Sequence, residues 1–219
     1  MGRLLRHDLS AAFLSVYDRA MAGVSSDLTA FILAGGKSTR MAADKAFVEL
    51  RGQMLLARAL ELARSVAGAV RIVGDRAKFA AFAPVVEDVF PGCGPLGGIH
   101  AALRASHTDL NLMLAVDLPL LSTEFLQYLV KRSKSGTATV TAVKASGRWQ
   151  PLCAIYRREF ADAAEEALRA GRYKIDTLFA PASTQFINEK ELAHAGFAID
   201  IFRNVNTPEE LGAVGEMPK

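Results

Sequence analysis

From residue 30 onward, short apolar runs alternate with amphipathic stretches of ten or more residues. This is the pattern of βαβ units that build a mainly parallel sheet. The apolar runs at 30–33, 69–73, 84–87, 110–116, 137–143, 152–156, 184–187 and 201–205 are predicted strands, and 54–66, 99–105, 124–133, 158–170 and 208–214 are predicted helices. Thr207, Pro208 and Glu210 supply an N-cap, an N1 proline and the reciprocal carboxylate of a capping box for the last of these helices. Ser122 or Thr123 can cap the helix that follows Pro119. Upstream, Leu5, Leu9, Ala12, Phe13, Val16, Tyr17 and Ala20 recur at helical spacing and predict an amphipathic helix ahead of the first strand. That helix packs on the body or on a partner, unless Met21 is the true start. The expected organisation is a helical extension over 1–28 and a single α/β domain over 29–219, with no internal repeat or low-complexity tract.

Composition narrows the class. A chain of 219 residues, 51% hydrophobic and 22% charged, can bury one sizeable core. Its formal charge of +3 suits anionic small molecules, but no run of Lys and Arg interleaved with aromatics marks a nucleic-acid stripe. Cys93 and Cys153 lack metal-ligand spacing or a disulfide framework, which fits a reducing cytoplasm. Charged residues interrupt the N-terminal segment, so it lacks the apolar core of a signal peptide, and no apolar run is long enough to span a bilayer. No membrane association is expected.

Four segments hold candidate chemistry. The first, LAGGKSTRMAADK over 33–45, ends a predicted strand in Leu33, Ala34, Gly35 and Gly36 and continues through Lys37, Ser38, Arg40 and Lys45. It is not a P-loop, because the position of that motif's first glycine falls on Phe31, inside the strand. It still brings small residues and cations together, as a polyphosphate requires, although a glycine-rich turn with solvated basic side chains fits equally well. The second is Asp117 with Leu118-Pro119-Leu120, at the end of a strongly apolar strand. A carboxylate there sits at the sheet edge where α/β proteins bind ligands and can hold Mg²⁺, or it can simply cap a loop. The third is Glu87-Asp88 and the loop over 91–98, rich in glycine and proline, whose backbone can lie close to a nucleobase. The fourth is Asn204 to Leu211, where Asn206 stands at a junction before the capped helix and can orient a phosphate or only shape the turn.

Together these segments resemble the molybdenum cofactor guanylyltransferase family (molybdopterin-guanine dinucleotide biosynthesis protein A), within the nucleotidyltransferase superfamily. Leu33, Ala34, Gly35, Gly36, Ser38, Arg40, Met41, Asp44 and Lys45 match the family's first signature; Gly94 to Gly98, Asp117 to Leu120 and Asn204 to Leu211 match its later ones. The resemblance implies a Rossmann-like three-layer sandwich of the nucleotide-diphospho-sugar transferase type. It also implies that Leu33, Ala34, Gly35, Gly36, Lys45, Asp88, Gly94, Pro95, Leu96 and Asp117 bind GTP, that Asp117 binds Mg²⁺, and that Arg40, Lys45 and Asp117 are catalytic. The implied reaction transfers GMP from GTP to the terminal phosphate of Mo-molybdopterin and releases pyrophosphate, with transient contacts to molybdenum insertion proteins or acceptor molybdoenzymes. Ala42 departs from the family's usual glycine, and Gly74 stands where the family often has an asparagine.

The pterin side is less legible. Trp149 can stack on a pterin and Arg148 can meet its phosphate, with Arg172 and Lys174 as further candidates, or Trp149 can pack in a hairpin-like loop. His100 and His107 lack a metal-ligand partner and are read as structural, and Cys93 as incidental. Three alternatives stay open: a cytidylyltransferase acting on the same pterin, another nucleotidyltransferase, and a non-catalytic nucleotide- or cofactor-binding delivery module docked through the N-terminal helix.

Overall fold

The computed structural model describes residues 24–35 and 44–216. The expected N-terminal helix, Gly36, Arg40 and Ala42 lie outside the described residues. Among those described, seven strands form one sheet. They are β1 (Ser25–Leu33), β4 (Ala67–Val73), β5 (Val85–Val86), β6 (Leu110–Ala115), β7 (Val140–Ala145), β8 (Arg148–Arg157) and β9 (Thr184–Ile187), in the order β5-β4-β1-β6-β8-β7-β9. The pairings of β1 with β4 and β6, of β4 with β5 and of β7 with β9 are parallel, whereas β8 runs antiparallel to β6 and β7. The expected mainly parallel sheet is therefore present. A separate ribbon of β2 (Glu49–Leu50) and β3 (Gln53–Met54) turns at Arg51 and Gly52, both with positive φ, and was not predicted.

The period of two along the central strands sorts side chains between two helical layers. Leu28, Ala30 and Ile32 of β1 and Leu110, Leu112 and Leu114 of β6 join a core built with the apolar faces of α1 (Leu55–Arg64) and α4 (Thr123–Lys134). Phe31, Leu33 and Met113 face the other way, into a core made with α3 (Pro95–Arg104) and α5 (Phe160–Arg169). Both faces of the central strands are covered, which explains why those strands read as continuous apolar runs. Asn111 is the polar exception in β6: fully buried, its amide donates to the carbonyls of Thr108, Asp109 and Tyr156.

Two short helices escaped the sequence reading, α2 (Arg76–Phe79) and α6 (Glu189–His194); the second carries a capping box of Asn188 and Glu191. The predicted strand at 201–205 is corrected. Ile199–Phe202 forms a 3-10 turn, and Phe202 packs edge-on against Phe125, with ring centroids 5.2 Å apart. The apolar residues there seal the helical layer instead of joining the sheet, and the backbone of Val205 donates to the Asp117 carbonyl at 3.0 Å. The last helix, α7 (Pro208–Gly215), starts at the expected capping box. Thr207→Ala removes the acceptor for the Glu210 N–H and should lower stability by about 1 kcal/mol, read as a reduced urea midpoint with unchanged slope.

Candidate active site

The chain leaves β1 toward β4 and β5 on one side and later returns to place β6 on the other side. Between β1 and β6 lies a topological switch point, where crossover connections diverge and a crevice opens beyond the carboxyl ends of the strands. Leu33, Ala34 and Gly35 leave β1 at this edge, and β6 runs through Val116 into Asp117. The crevice has two adjoining chambers. A smaller one of about 180 Å³ is lined by Lys45 and Asp117, and a larger one of about 740 Å³ by Asp75, Lys78, Glu87 and Asp88. Leu33, Ala34, Gly35, Asp44 and Pro95 line both and form the passage between them.

In the smaller chamber the Lys45 ammonium donates to Asp117 Oδ2 at 3.0 Å and to Asn206 Oδ1 at 2.5 Å. Both members of the ion pair are largely shielded, with side chains 21% and 17% exposed. Three segments remote in sequence meet at one cation. Lys45 opens a 3-10 turn (Lys45–Phe47) capped by Asp44, whose carboxylate accepts from the Ala46 N–H. Asn206 is fixed by its own N–H, which donates to Glu210 Oε2 at 2.6 Å, and by the neighbouring backbone bond from Val205 to Asp117. The capping box thus also aims a site residue. Asn204, its companion in the sequence motif, is exposed.

Among the described residues no cluster of three or more His, Cys, Asp or Glu side chains suits a metal. Magnesium bound beside a nucleotide needs only one or two protein oxygens, because phosphates and water complete its shell. The Asp117 carboxylate, with the Asn206 amide oxygen beside the same ammonium, fits that requirement. Behind the Asp117 loop a separate cavity of about 410 Å³ lies between α1 and the start of α4. There Arg58 donates to the Pro119 carbonyl at 3.3 Å and ties the loop to α1.

In the larger chamber Asp88 accepts from the Phe90 N–H at 2.9 Å. Burial pushes its carboxyl above the usual range, against the opposing pull of that hydrogen bond and of His100. The position depends on a glycine: a Cβ at Gly97 would lie 2.8 Å from Asp88 Oδ2 and 2.9 Å from the Phe90 carbonyl oxygen. Gly94, with φ of 69°, and Pro95 at the first turn let the loop enter α3. Leu96 is fully buried in the core and lines neither chamber. Gly74 lies over the ring of Phe79, which a Cβ there would meet at 2.9 Å, so an asparagine at this position would have to displace a buried aromatic.

Trp149 and Arg148 line neither chamber. Ser146 and Gly147, with φ of 50° and 71°, make a tight hairpin turn between β7 and β8. Trp149 then packs edge-on against Phe179 at 5.1 Å and Phe186 at 6.2 Å, with the Lys144 ammonium over its ring. Leu152 of the same strand does reach the smaller chamber. Arg172 and Lys174 make exposed ion pairs with Glu166 and Asp176. His100 is buried between Phe90 and Glu165, in keeping with a structural reading. Cys153 is buried and its thiol is pushed up by desolvation. Among the polar and apolar groups lining the cleft, sequence reasoning did not single out Asp44, Asp75, Lys78 and Leu152. Asp44 lies inside the first motif, Asp75 caps α2, Lys78 sits on that short helix, and Leu152 lies on β8, none of the last three within a motif of its own.

A parallel-sheet switch point with a lysine–carboxylate pair at one end of a divided cleft is the kind of crevice in which open α/β sheets bind nucleotides and other ligands. The MobA-like NTP transferase domain matches residues 30–185, and the chain belongs to that family. A probable molybdenum cofactor guanylyltransferase of Carboxydothermus hydrogenoformans is 34% identical over 84% of this chain and 93% of its own length. A molybdenum cofactor guanylyltransferase of Vibrio atlanticus is 32% identical over 85% and 94%. The crystal structure of molybdopterin-guanine dinucleotide biosynthesis protein A from Archaeoglobus fulgidus superposes with a TM-score of 0.75 at 27% identity, over 86% of this chain and 97% of that one. Among the described residues no helix is long and apolar enough to cross a membrane.

Gly97→Ala should displace Asp88, because its Cβ would meet the Asp88 carboxylate and the Phe90 carbonyl, and raise the nucleotide KM by roughly tenfold, the scale of about 1.4 kcal/mol of lost contact. Steady-state titration of the nucleotide measures this; an unchanged KM would show that the Asp88 position is not required.

Proposed function

We propose that the chain transfers GMP from GTP to the terminal phosphate of Mo-molybdopterin, forming the guanine dinucleotide and releasing pyrophosphate. The observation that supports this reading most is the Lys45 ammonium held between Asp117 and Asn206 at one end of a cleft whose other end presents Asp88. The relatives named above share that activity in their names. Residues 29–219 act as one catalytic domain and 1–28 as an extension to it.

A nucleotide laid along the cleft puts its base in the larger chamber and its phosphates in the smaller one. Asp88 accepts from the ring N–H and amino groups of guanine, a donor pattern that cytosine lacks. Small residues at Ala34 and Gly35, just after Leu33, let the backbone come close to the phosphates. The acceptor's terminal phosphate oxygen attacks the α-phosphorus, a new P–O–P bond forms, and the bond from the α-phosphorus to the bridging oxygen breaks with its electron pair leaving on pyrophosphate. Lys45, aimed by Asn206, offsets charge growing on the leaving oxygens, and Arg40 contributes from the adjoining segment. The attacking phosphate is already anionic, so no strong general base is required. Mg²⁺, held by Asp117, supplies further charge neutralisation at the phosphates when bound. Because reactants and leaving group are all anionic, positioning and charge compensation account for the chemistry assigned to the protein.

The test is Mg²⁺-dependent pyrophosphate release with Mo-molybdopterin and, in parallel, GTP, CTP or ATP. Turnover with GTP alone is expected. CTP preference would assign the cytidylyl branch, and silence with all three would favour a delivery module. Asp117→Asn and Lys45→Met should each reduce kcat by about a hundredfold or more, as loss of a transition-state charge contact does elsewhere. Near-wild-type rates would remove that residue from the mechanism.

Asp88 gives a pH signature. Its ionised form accepts the guanine donors, so GTP affinity is full above its pKa and is lost as pH falls through it. That pKa is raised by burial, so the loss should begin at a higher pH than for an ordinary aspartate. Asp88→Asn should flatten the acid limb of the kcat/KM profile and weaken GTP by about ten- to a hundredfold through unpaired donors.

A further inference from the structure

The larger chamber is unexpectedly acidic for a site that takes an anion. Asp44, Asp75, Glu87 and Asp88 all line it, and among the described residues lining it Lys78 is the basic one. Among the described residues, three of the four carboxylates have partners only within their own segments. Asp75 caps α2 by accepting from the Ala77 N–H, Glu87 pairs with Arg76 at 3.1 Å, and Asp88 accepts from Phe90. The fourth, Asp44, meets the Lys78 ammonium at 3.1 Å. Asp44 lines both chambers, so this ion pair stands at the passage through which a ligand spanning Asp88 and Lys45 must run.

The pair is built to open. Lys78 is 53% exposed and Asp44 27% exposed, and such solvated bridges are worth at most about 1 kcal/mol. Asp44 keeps its hydrogen bond from the Ala46 N–H whether or not Lys78 stays. Lys78 sits on α2 beside Phe79, whose buried ring under Gly74 and stack on Phe47 anchor that short helix to the cleft wall. A lysine stem is long enough to swing its ammonium from one anion to a neighbouring one without moving the backbone.

Resting on the guanylyl-transfer reading above, we propose that Lys78 is a nucleotide-binding residue whose ammonium leaves Asp44 for the α-phosphate as the nucleotide crosses the passage. It supplies the positive charge that lets an anionic ligand enter a chamber dominated by carboxylates. The contact is to phosphate and therefore independent of the base.

The experiment compares wild type, Lys78→Met and Lys78→Arg in equilibrium binding of GTP, GMP and guanosine, with a thermal melt of each protein. The α-phosphate contact predicts that Lys78→Met weakens GTP and GMP alike by about tenfold, the scale of one partly solvated charge-assisted contact. Guanosine binding should change less than twofold, by the same reasoning, and Lys78→Arg should recover most of the loss. The melts should coincide, because the bridge contributes little to folding. Equal GMP binding by wild type and Lys78→Met overturns the proposal, as does a loss that extends to guanosine or a lowered melt that accounts for the weakening. Nucleotide preference of the wild type is read from the turnover panel. A protein that prefers CTP would overturn the guanine reading and leave the Lys78 contact testable with CMP and cytidine.

Discussion

The ammonium of Lys45, held by Asp117 and Asn206, is the interaction on which the rest of the site depends. Its members come from the end of the first motif, from the carboxyl end of β6 and from the junction ahead of α7. None of these segments could hold its polar group in place alone. A shielded carboxylate and a shielded ammonium compensate each other, and the amide oxygen of Asn206 takes a further proton of the cation, so the cluster is satisfied without a ligand.

The fold supplies the rigidity behind it. Central strands buried on both faces cannot shift without disturbing two cores at once, so the carboxyl ends of β1 and β6 are fixed relative to each other. Arg58 ties the Asp117 loop to α1, and the backbone of Val205 ties the C-terminal segment to Asp117 itself. The larger chamber is held differently. Its walls are short, capped turns and a glycine-rich entry to α3, and they set where Asp88 lies through close packing on Gly97. One end of the cleft therefore rests on the sheet and the other on loop geometry, which is the more variable support.

Charge is divided in a corresponding way. Most of the carboxylates around the larger chamber are engaged by backbone N–H groups or by rim cations, and burial raises the pKa of Asp88. This leaves an acceptor surface suited to hydrogen-bond donors and an electrostatic obstacle to anions. The basic residues at the passage and in the smaller chamber offset that obstacle.

The alternation of apolar runs with amphipathic helices, the end of β1 at Leu33 and the capping box at Thr207 were legible in the sequence because each depends on neighbours within a few residues. The family resemblance named Lys45, Asp88 and Asp117 by motif, and the structure brings all three to one cleft. Other features were decided only by tertiary contacts. The apolar run at 201–205 has the pattern of a strand, yet it packs on a helix because Phe125 offers it a face and the sheet does not. The ring of Trp149 is positioned by edge-on contacts with Phe179 and Phe186, which lie far from it in the chain. Leu96 shares a motif with ligand-facing glycines, yet the helical turn points it into the core. Asp44, Asp75 and Lys78 gain their place only when α2 and the Lys45 turn meet across the crevice. Local sequence determines which backbone geometry a segment can adopt, but which polar groups face one another across a cleft depends on the long-range packing of elements that the chain itself keeps far apart.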